Sequence, residues 1–591
     1  MCGIFGFWLN KPLEQIDIVN GIKSLEKLNH RGPDSSNFWY DEKKGIFLGH
    51  TRLSIIGIES KNKQPFINKK SVLIYNGELY NYLELKKFLL TKNYKFFTNT
   101  DTEVIQYAWD YYGTKCFDHF DGMYAFAIYD YNNMYLAVDN FGEKPIYYFK
   151  NDNGIYFSSE PKNLIDLNKI TFSPSKSNII DFISLGFIRN PETGFKDLKC
   201  LPQSTIMKIN KNHNFKLNKF WKLDTIKNKK NYFEESDFKY IRNLLIESTE
   251  SRLVADVNVG VFLSSGIDST LLATLISREL NKKIDTFTLS FPDGVDEKLF
   301  VKEITNYLNL KNYSLNYLND DYNINLNKSL SEIYYELNDN STALSIRQLS
   351  KFAVKYIKVA VGGVGGDELF YGYNKYKDAL HYQKYMFLEN KVSRLILNLI
   401  NIFLQNEKID NALEYLDNND YYRFIALKNI YIKKILKKLN LLPLTNFFEN
   451  LDKNYIDKIR DFDLNNTLQN SYLKSIDRGS MNQSLELRSP YLNKKLFEFI
   501  NTFDSNIFLK NNSKFVQKKI LSEYLPKKLI NTQKKGFISP LKINKNLLES
   551  KLFPNYLVNL IDYSNININS NKNDKLYSRL SLIKYFYEHN A

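Results

Sequence analysis

A cysteine directly follows the initiator methionine, and the chain opens Met1-Cys2-Gly3-Ile4. Removal of Met1 would leave a thiol and a free α-amino group on Cys2. An α-amino group titrates at about 7.7–8.0, close to the pH at which a general base is most useful. It could therefore take the proton of its own thiol, directly or through a water. Cys2 would also suit a buried first strand as an ordinary small residue. The residues downstream of it therefore decide between a catalytic and a structural role.

Attack of a thiolate on a carboxamide needs donors for the oxyanion and groups that hold the rest of the substrate. Asn76 and Gly77 could supply two N–H donors, and losing one such donor typically costs about 10²–10³-fold in rate. Arg52 has the planar fork that binds a carboxylate in a bidentate manner, and Asp101 could hold an ammonium group. Singly, Arg52 fits a surface charge and Asn76-Gly77 a hairpin turn. Together, in this order after Cys2, they predict a site for a free amino acid.

This set resembles the glutaminase domain of class-II, N-terminal-nucleophile amidotransferases. The runs that carry the resemblance are His30–Asp34, His50–Ile55, Tyr75–Asn81 and Asp101–Glu103. The resemblance implies these roles: nucleophile (Cys2), oxyanion hole (Asn76, Gly77) and glutamine binding (Arg52, Asn76, Glu78, Asp101). The first part of the chain is therefore predicted to hydrolyse glutamine and release ammonia.

A second candidate site begins with the apolar run Val259–Leu263, which is typical of a buried parallel strand. It leads into the loop Ser264–Thr270 and then a helical pattern, an arrangement that binds phosphate through loop N–H groups and the helix dipole. The loop lacks the Gly-Lys-Ser/Thr ending of a Walker A motif. It resembles the pyrophosphate loop of ATP pyrophosphatases, although a serine-rich helix cap is the structural alternative. The implied ATP-binding residues are Leu263, Ser264, Ser265, Gly266, Asp268 and Ser269.

A glycine-rich acidic loop follows a second apolar run, within Val359–Phe370. Its spacing differs from the GxGxxG dinucleotide fingerprint. The resemblance to ATP pyrophosphatases implies that Gly363 contacts ATP and that Asp268 and Asp367 bind Mg²⁺. Magnesium suits these acids because it is commonly held by one or two carboxylates together with phosphate oxygens.

With Asp477–Met481 and Ser484–Pro490, these motifs resemble the glutamine-hydrolysing asparagine synthetases over roughly residues 2 to 545. In that family aspartate is activated as an acyl-adenylate, and ammonia from an internal tunnel displaces AMP. Lys514 and Lys534-Lys535 lie where the family neutralises pyrophosphate, although exposed lysines are commonly plain solvated surface. The resemblance implies ATP and Mg²⁺ as cofactors and small-molecule substrates (glutamine, ATP, and aspartate or another carboxylate), and it is compatible with a homodimer.

The chain departs from the family where acceptor and ammonia would meet. Val364 replaces an acid that assists deprotonation of the incoming ammonium. Asn340 stands where an aspartate is common, and Ser341 and Ser345 replace prolines. In the first domain Asp139 lacks the usual flanking arginines. We therefore predict that the ATP and glutamine chemistry is retained, whereas the identity of the acceptor is left open.

Asparagine is the expected product. The alternative within the class is amidation of another carboxylate, such as a uronic acid in surface-polysaccharide assembly. A phosphoribosyl or sugar-phosphate amidotransferase would share the first domain but is disfavoured by the Ser264–Thr270 loop. A non-catalytic glutamine- or nucleotide-binding regulator is favoured by Val364 and disfavoured by the intact set around Cys2.

A chain of 591 residues with 43% hydrophobic content exceeds what one core supports, so at least two domains are expected. We predict an α+β, four-layer αββα glutaminase domain over residues 2–205 and a Lys- and Asn-rich linker over 206–235. An α/β ATP-pyrophosphatase domain, a doubly wound parallel sheet with helical additions, is predicted over 236–545. Residues 546–591 are predicted to be a divergent tail.

The net charge of +16 comes from scattered lysines without a basic block interleaved with aromatics, so no nucleic-acid partner is predicted. Three cysteines in so long a chain (Cys2, Cys116, Cys200) indicate a reducing cytosol. A mature terminus at Cys2 predicts that no signal peptide precedes it. The most apolar stretch, Leu395–Leu404, is too short to span a bilayer. We expect a cytoplasmic enzyme without membrane contact.

Overall fold

The computed structural model describes residues 2–58, 63–226, 228–290, 297–316, 326–383, 420–438, 454–510, 513–530 and 574–590, with residues 395, 396, 399 and 413. The strands are β1 Gly3–Leu9, β2 Ser35–Asp41, β3 Ile46–Arg52, β4 Phe66–Ile67, β5 Val72–Leu79, β6 Gly122–Tyr129, β7 Met134–Val138, β8 Tyr147–Asn151, β9 Gly154–Ser158, β10 Leu198–Cys200, β11 Thr205–Ile209, β12 Phe215–Lys219, β13 Val259–Phe262, β14 Asp285–Ser290, β15 Asn312–Asn316, β16 Val359–Val361 and β17 Glu486–Arg488.

The α-helices of the described residues are α1 Gln15–Glu26, α2 Tyr82–Thr91, α3 Asp101–Tyr112, α4 Pro161–Asn168, α5 Lys176–Leu185, α6 Glu235–Arg252, α7 Ile267–Arg278, α8 Glu297–Leu308, α9 Leu326–Tyr334, α10 Thr342–Ala353, α11 Gly366–Leu369, α12 Asn374–Gln383, α13 Asp420–Lys428, α14 Ile430–Lys438, α15 Tyr455–Phe462, α16 Lys474–Met481, α17 Lys494–Ile500, α18 Ser505–Lys510, α19 Phe515–Leu521 and α20 Asp574–Asn590. A π-helical segment, Asp463–Leu473, joins α15 to α16. Within this part of the chain, no helix has the length and apolar character needed to cross a membrane.

The first domain stacks two antiparallel six-stranded sheets, in the orders β10-β8-β9-β1-β3-β2 and β12-β11-β7-β6-β5-β4. β1 shows why two sheets form, because alternate side chains of a strand point to opposite faces. Ile4 and Trp8 join the core between the sheets, whereas Phe5 and Phe7 join the core on the outer face, where α1 packs. α2 and α3 cover the outer face of the second sheet. The predicted αββα architecture is confirmed.

The segment predicted to begin the linker differs in the structure. β11 and β12 lie within residues 205–219 and extend the second sheet, with Thr205 opposite Val138 and Ile209 opposite Met134. Ile209 is fully buried, but every residue of β12 is exposed. A polar edge strand of this kind has no apolar alternation by which the sequence could reveal it.

The second domain is built on a parallel sheet in the order β15-β14-β13-β16-β17, as predicted for a doubly wound fold. From β13 the chain moves outward through β14 to β15, and β16 then returns to the other side of β13. The strand order therefore reverses between β13 and β16. Ligands bind at such a switch point, outside the carboxyl ends of the strands. The loops after β13 and β16 are the two predicted from sequence as the ATP site.

Part of the predicted tail is an ordered helix. α20 buries Leu576, Leu580 and Ile583. Its Arg579 donates to the Ile183 carbonyl of α5 at 2.6 Å and pairs with Asp339 at 2.5 Å. The helix thus contacts both domains. Residues 546–573 and the Lys534-Lys535 pair lie outside the described residues.

Candidate active sites

The residue proposed as nucleophile lies at the start of β1 and is buried, with 8% of its surface exposed. The Cys2 backbone N donates to the Asn76 side-chain oxygen at 3.0 Å, and the Cys2 carbonyl accepts from Arg31 Nε at 3.2 Å. Once Met1 is removed, the nitrogen held by Asn76 is the α-amino group itself. Its position is therefore fixed from both sides, as a proton acceptor for the thiol requires.

The surroundings of Cys2 keep its thiol protonated at rest. Burial raises the pKa of the thiol above its ordinary value, against the lowering effects of the Leu53 backbone N–H and the Arg52 guanidinium. A protonated thiol is a poor nucleophile, so a nearby base has to remove the proton. The α-amino group of a processed Cys2 is the base that this site provides.

Asn76 and Gly77 are the two residues that were predicted to donate to the oxyanion. The Asn76 side chain is fully buried, and its Nδ2 has no hydrogen-bond partner among the described residues. A buried donor without a partner costs free energy, so it points to a substrate oxygen as its missing acceptor. Gly77 lies so close to β6 that a Cβ there would be 2.1 Å from the Met123 carbonyl oxygen. Only glycine fits this position without moving the strand.

Three charged side chains surround the same pocket as Cys2. Arg52, Glu78 and Asp101 line it together with Gly77. Arg52 is oriented by its donation to the Gly57 carbonyl at 2.5 Å. The side chains that were predicted to bind glutamine thus lie around the same pocket as Cys2.

Asp101, the first residue of α3, is held by two donors. The Tyr75 hydroxyl donates to its Oδ2 at 2.9 Å and the Leu79 N–H at 3.0 Å. Burial raises the pKa of Asp101 to about 6, although these donors oppose the shift. A buried carboxylate with a raised pKa gains stabilisation from an incoming cation. The substrate ammonium would supply that charge.

A residue of the second domain contacts Glu78 of this pocket, which the sequence did not reveal. Arg488 of β17 lies 3.3 Å from Glu78 Oε1 and donates to Glu486 at 2.6 Å. Burial and the neighbouring Glu486 raise the pKa of Glu78 well above its ordinary range, while Arg488 acts in the opposite direction. The only sequence signal for these residues was their place in the Ser484–Pro490 run.

The second site surrounds a pocket at the switch point of the parallel sheet. Within the loop after β13, the Ser264 N–H and Gly266 N–H donate to the Ser269 and Ser264 hydroxyls, both at 3.1 Å. A Cβ on Gly363 would lie 3.0 Å from that of Asp268, so glycine allows the two loops to meet. Of the predicted ATP residues, those that line the pocket are Leu263, Ser264, Gly266, Asp268, Ser269 and Gly363. Ser265 and Lys514, which were also predicted to bind ATP, do not line it.

Lys514 connects the two acids that were predicted to bind metal. Its ammonium pairs with Asp268 and lies 2.6 Å from Asp367 Oδ1. Burial alone would lower the pKa of Lys514, but these carboxylates outweigh it and raise the pKa above its ordinary value. Two carboxylates that converge on one cation fit Mg²⁺ completed by phosphate oxygens. Among the described residues no cluster of three or more His, Cys, Asp or Glu side chains could hold a metal unaided.

One position that departs from the family pattern, Val364, lies in this pocket. Val364 lines it beside Glu368, whose carboxyl accepts from the Tyr373 hydroxyl at 2.7 Å. Burial raises the pKa of Glu368 to about 7. Glu336 is not among the lining residues, and it pairs with Lys474 at 3.0 Å.

The remaining departures have structural roles. Asn340 accepts from the Thr342 N–H at 3.1 Å and donates to the Ser471 hydroxyl at 2.9 Å, so it fixes the start of α10. Ser341 precedes that helix. Asp139 accepts five backbone N–H groups at a turn, those of Tyr124, Phe141, Gly142, Glu143 and Lys144.

An N-terminal αββα domain with a cysteine at its terminus, joined to a parallel-sheet domain with a pyrophosphatase-type loop, defines a two-domain amidotransferase. A family model described as a glutamine amidotransferase domain matches residues 1–221, and one described as asparagine synthase matches residues 240–558. The chain belongs to the glutamine-hydrolysing asparagine synthetase family. It is an ATP-dependent amidoligase.

Relatives match over nearly the whole chain. Glutamine-hydrolysing asparagine synthetase 1 of Bacillus subtilis is 30% identical over 92% of this chain and 87% of its own length. The putative glutamine-hydrolysing asparagine synthetase 2 of Methanocaldococcus jannaschii is 30% identical over 81% of this chain and 98% of its own. A protein named amidase chry2, from Gibberella zeae, is 23% identical over 92% of this chain and 89% of its own length. The likeness therefore extends over both domains.

Proposed function

We propose that the protein converts glutamine, aspartate, ATP and water into glutamate, asparagine, AMP and pyrophosphate. The observation that carries the proposal is the pairing of sites: a buried Cys2 beside an unpartnered Asn76 amide, and an acid-bearing ATP loop in the other domain. Neither site alone distinguishes a synthetase from a simpler hydrolase. The pair does, because the first site makes ammonia and the second activates a carboxylate to receive it.

In the first half-reaction, the α-amino group of processed Cys2 accepts the thiol proton and the sulfur attacks the side-chain amide of glutamine. Asn76 Nδ2 and the Gly77 N–H donate to the oxyanion, and Arg52, Glu78 and Asp101 hold the substrate's charged groups. Collapse of the tetrahedral intermediate releases ammonia and leaves a thioester on Cys2. Water then hydrolyses the thioester to glutamate.

In the second half-reaction, the aspartate side-chain carboxylate attacks the α-phosphorus of ATP and expels pyrophosphate. The loop after β13 would bind the phosphates, and Lys514 would balance their charge. Magnesium, held by Asp268 and Asp367, would neutralise phosphate oxygens. Ammonia then attacks the acyl-adenylate carbonyl and AMP leaves.

The route for ammonia is supported by an apolar cluster between the domains. Leu53, Ile55 and Met123 of the glutaminase domain pack with Val359 and Met481 of the synthetase domain. Leu53 and Ile55 also line the glutamine pocket, and Val359 begins the strand that leads to the acidic loop. An apolar lining suits neutral ammonia and disfavours ammonium.

The test is substrate-dependent product formation by the purified, Met1-processed chain. We expect glutamine and aspartate together to yield asparagine, with one pyrophosphate and one AMP per asparagine. Pyrophosphate release at a rate that does not depend on aspartate would contradict the proposal.

A second candidate is amidation of another carboxylate, such as a uronic acid. Val364 favours it, because an aliphatic side chain replaces the acid that the family uses for ammonia. Screening pyrophosphate release over a panel of carboxylates, with ammonia as nitrogen donor, separates the two. Release that is stimulated by a uronic acid and indifferent to aspartate would select this candidate.

A further inference from the structure

The short strand β17 has one side chain in the ATP pocket and another beside Glu78, a residue of the glutamine pocket. Leu487 lines the ATP pocket, whereas Glu486 and Arg488 belong to an ion-pair group with Glu78 of the glutamine pocket. This division follows from the period-two alternation of a strand. Three consecutive residues of the synthetase domain therefore serve both sites.

Arg488 is fixed before any substrate binds. Its side chain is fully enclosed, and its Nη1 donates to the carbonyls of Arg252 at 3.0 Å and Val254 at 2.6 Å. Its own carbonyl accepts from the Gly362 N–H at 2.9 Å. With the backbone and one guanidinium nitrogen anchored, the remaining nitrogens face Glu486 and Glu78.

Glu78 needs such a partner. It is buried, with 6% of its surface exposed, close to another buried acid. The titratable or charged groups that act on it are Glu486 and Arg488 on β17, Asp101 on α3 and the amino terminus. Without the guanidinium, two carboxylates would face each other in a desolvated space, and the pKa of Glu78 would rise further, so that a proton would compete more strongly with the substrate ammonium.

We propose that Arg488 is a positioning residue of the glutamine pocket, supplied by the synthetase domain: it holds the Glu78 carboxyl in place to meet the α-ammonium of glutamine and opposes its protonation. The inference rests on the proposed glutaminase function. It implies that the glutamine site is complete only when the second domain is docked on the first.

The experiment compares glutaminase kinetics of the full chain with Arg488→Met and Arg488→Lys, without ATP. We expect Arg488→Met to raise the KM for glutamine by about 10- to 100-fold, with kcat changed by about threefold or less. Arg488→Lys keeps the charge but loses the planar fork of the guanidinium. Its KM for glutamine should therefore lie between those of the unmodified chain and Arg488→Met. In Arg488→Met the pH at which KM stops falling should move upward, because Glu78 then holds its proton more tightly. A merely structural loss would not move that profile.

A double-mutant cycle shows whether Arg488 acts through Glu78. Once Glu78→Gln is in place, adding Arg488→Met should change KM by about twofold or less. Arg460→Met is the matched control, since Arg460 is equally buried but bonds to the Glu368 carbonyl. It should leave the glutamine KM unchanged.

Two outcomes would overturn the inference. An unaltered KM in Arg488→Met, or full additivity with Glu78→Gln, would remove Arg488 from the glutamine site while the glutaminase function stands. Absence of glutamine hydrolysis in the unmodified, processed chain would instead remove the proposed function, and this inference with it.

Discussion

The Arg31 guanidinium and the Asp477 carboxylate form two hydrogen bonds across the domain boundary, both at 2.9 Å. Both side chains are fully buried. Arg31 also holds the Cys2 carbonyl, and Asp477 lies on α16, next to the Ser475 and Ile476 that line the ATP pocket. One ion pair therefore joins the backbone of Cys2, the proposed nucleophile, to a wall of the ATP pocket.

We expect Asp477→Asn to destabilise the protein at pH 7, because it leaves part of a buried guanidinium charge uncompensated, at a typical cost of about 3–5 kcal/mol. Burial alone would raise the pKa of Asp477, but Arg31 and Lys144 outweigh it and lower the pKa below its ordinary value. A carboxylate whose pKa is lower in the folded than in the unfolded protein adds to the free energy of unfolding. This stabilisation is fully present above the unfolded-state pKa and is lost as the pH falls through the folded-state pKa. The stability difference should thus persist down to about pH 4 and shrink below it.

Denaturant unfolding of the two proteins across pH measures this difference. Asp166→Asn serves as control, because Asp166 pairs with Lys27 at the surface, where such a pair contributes about 1 kcal/mol or less. Equal effects of the two substitutions would argue against a stabilising role for the buried pair.

Replacing Cys2 by alanine should abolish glutamine hydrolysis, by about 10³-fold or more, and leave ammonia-dependent synthesis intact. The reason is that the sulfur is the nucleophile of the first site alone. Cys116→Ala is the matched control, since Cys116 is a buried free thiol in the core between α3 and the second sheet. Glutaminase activity that survives in the Cys2 variant would refute the assignment of the first site.

Binding of glutamine should depend on the ionisation of Asp101. With a pKa of about 6, Asp101 is protonated below pH 6 and cannot hold the substrate ammonium, so the KM for glutamine should rise as pH falls below that value. Tyr75→Phe removes a donor to the carboxylate, which raises its pKa and should shift the inflection to higher pH. Tyr111→Phe, at an exposed tyrosine of the same helix, should leave the profile in place. An identical profile in Tyr75→Phe would exclude Asp101 as the titrating group.

Asp367→Asn should suppress aspartate-dependent pyrophosphate release by about 100-fold or more, because it removes one of two carboxylates that would hold Mg²⁺. Asp268→Asn should act in the same way. Glutamine hydrolysis without ATP should continue in both variants. Asp378→Asn, at an exposed acid on α12, is the control. Pyrophosphate release at the unmodified rate in either variant would show that the acid has another role.

The sequence predicted the fold and indicated both candidate sites because the residues that carry them occur in short local runs. Cys2, Asn76-Gly77 and the loop after β13 are recognisable since the chemistry needs those residue types within a few positions of each other. The contacts that it could not predict join distant segments. Glu78 and Arg488 belong to separate domains, and their pairing is decided by how the domains dock.

The local sequence pattern also failed to predict two elements, β12 and α20. β12 is exposed along its whole length and so resembles a linker. α20 follows an asparagine-rich stretch that reads as a tail, yet its Leu576, Leu580 and Ile583 are buried. In both cases the structure of the segment depends on its contacts with neighbouring elements, so no pattern within the segment itself predicts it.

Val364 lines the ATP pocket at a position where the chain departs from the family pattern. Incoming ammonia is mostly ammonium near neutral pH, and general-base assistance in removing the proton is typically worth about 10²–10⁴-fold. Valine cannot provide it. Of the two other acids considered, Glu368 lines the pocket and Glu336 does not. If aspartate is the acceptor, Glu368→Gln should reduce asparagine formation by that factor and Glu336→Gln should have little effect.

Val364→Glu should then raise asparagine formation, because it restores an acid to a pocket that already binds aspartate. In a pocket built for another carboxylate, the same substitution should give no gain with aspartate. The measurement is the rate of asparagine formation from ammonia, aspartate and ATP in the three variants and the unmodified chain. Val364→Ala is the control for the change in volume. A normal rate in the unmodified protein that survives removal of both Glu368 and Glu336 would mean that no acid is needed at this side of the site, and the argument from Val364 for a different acceptor would be lost.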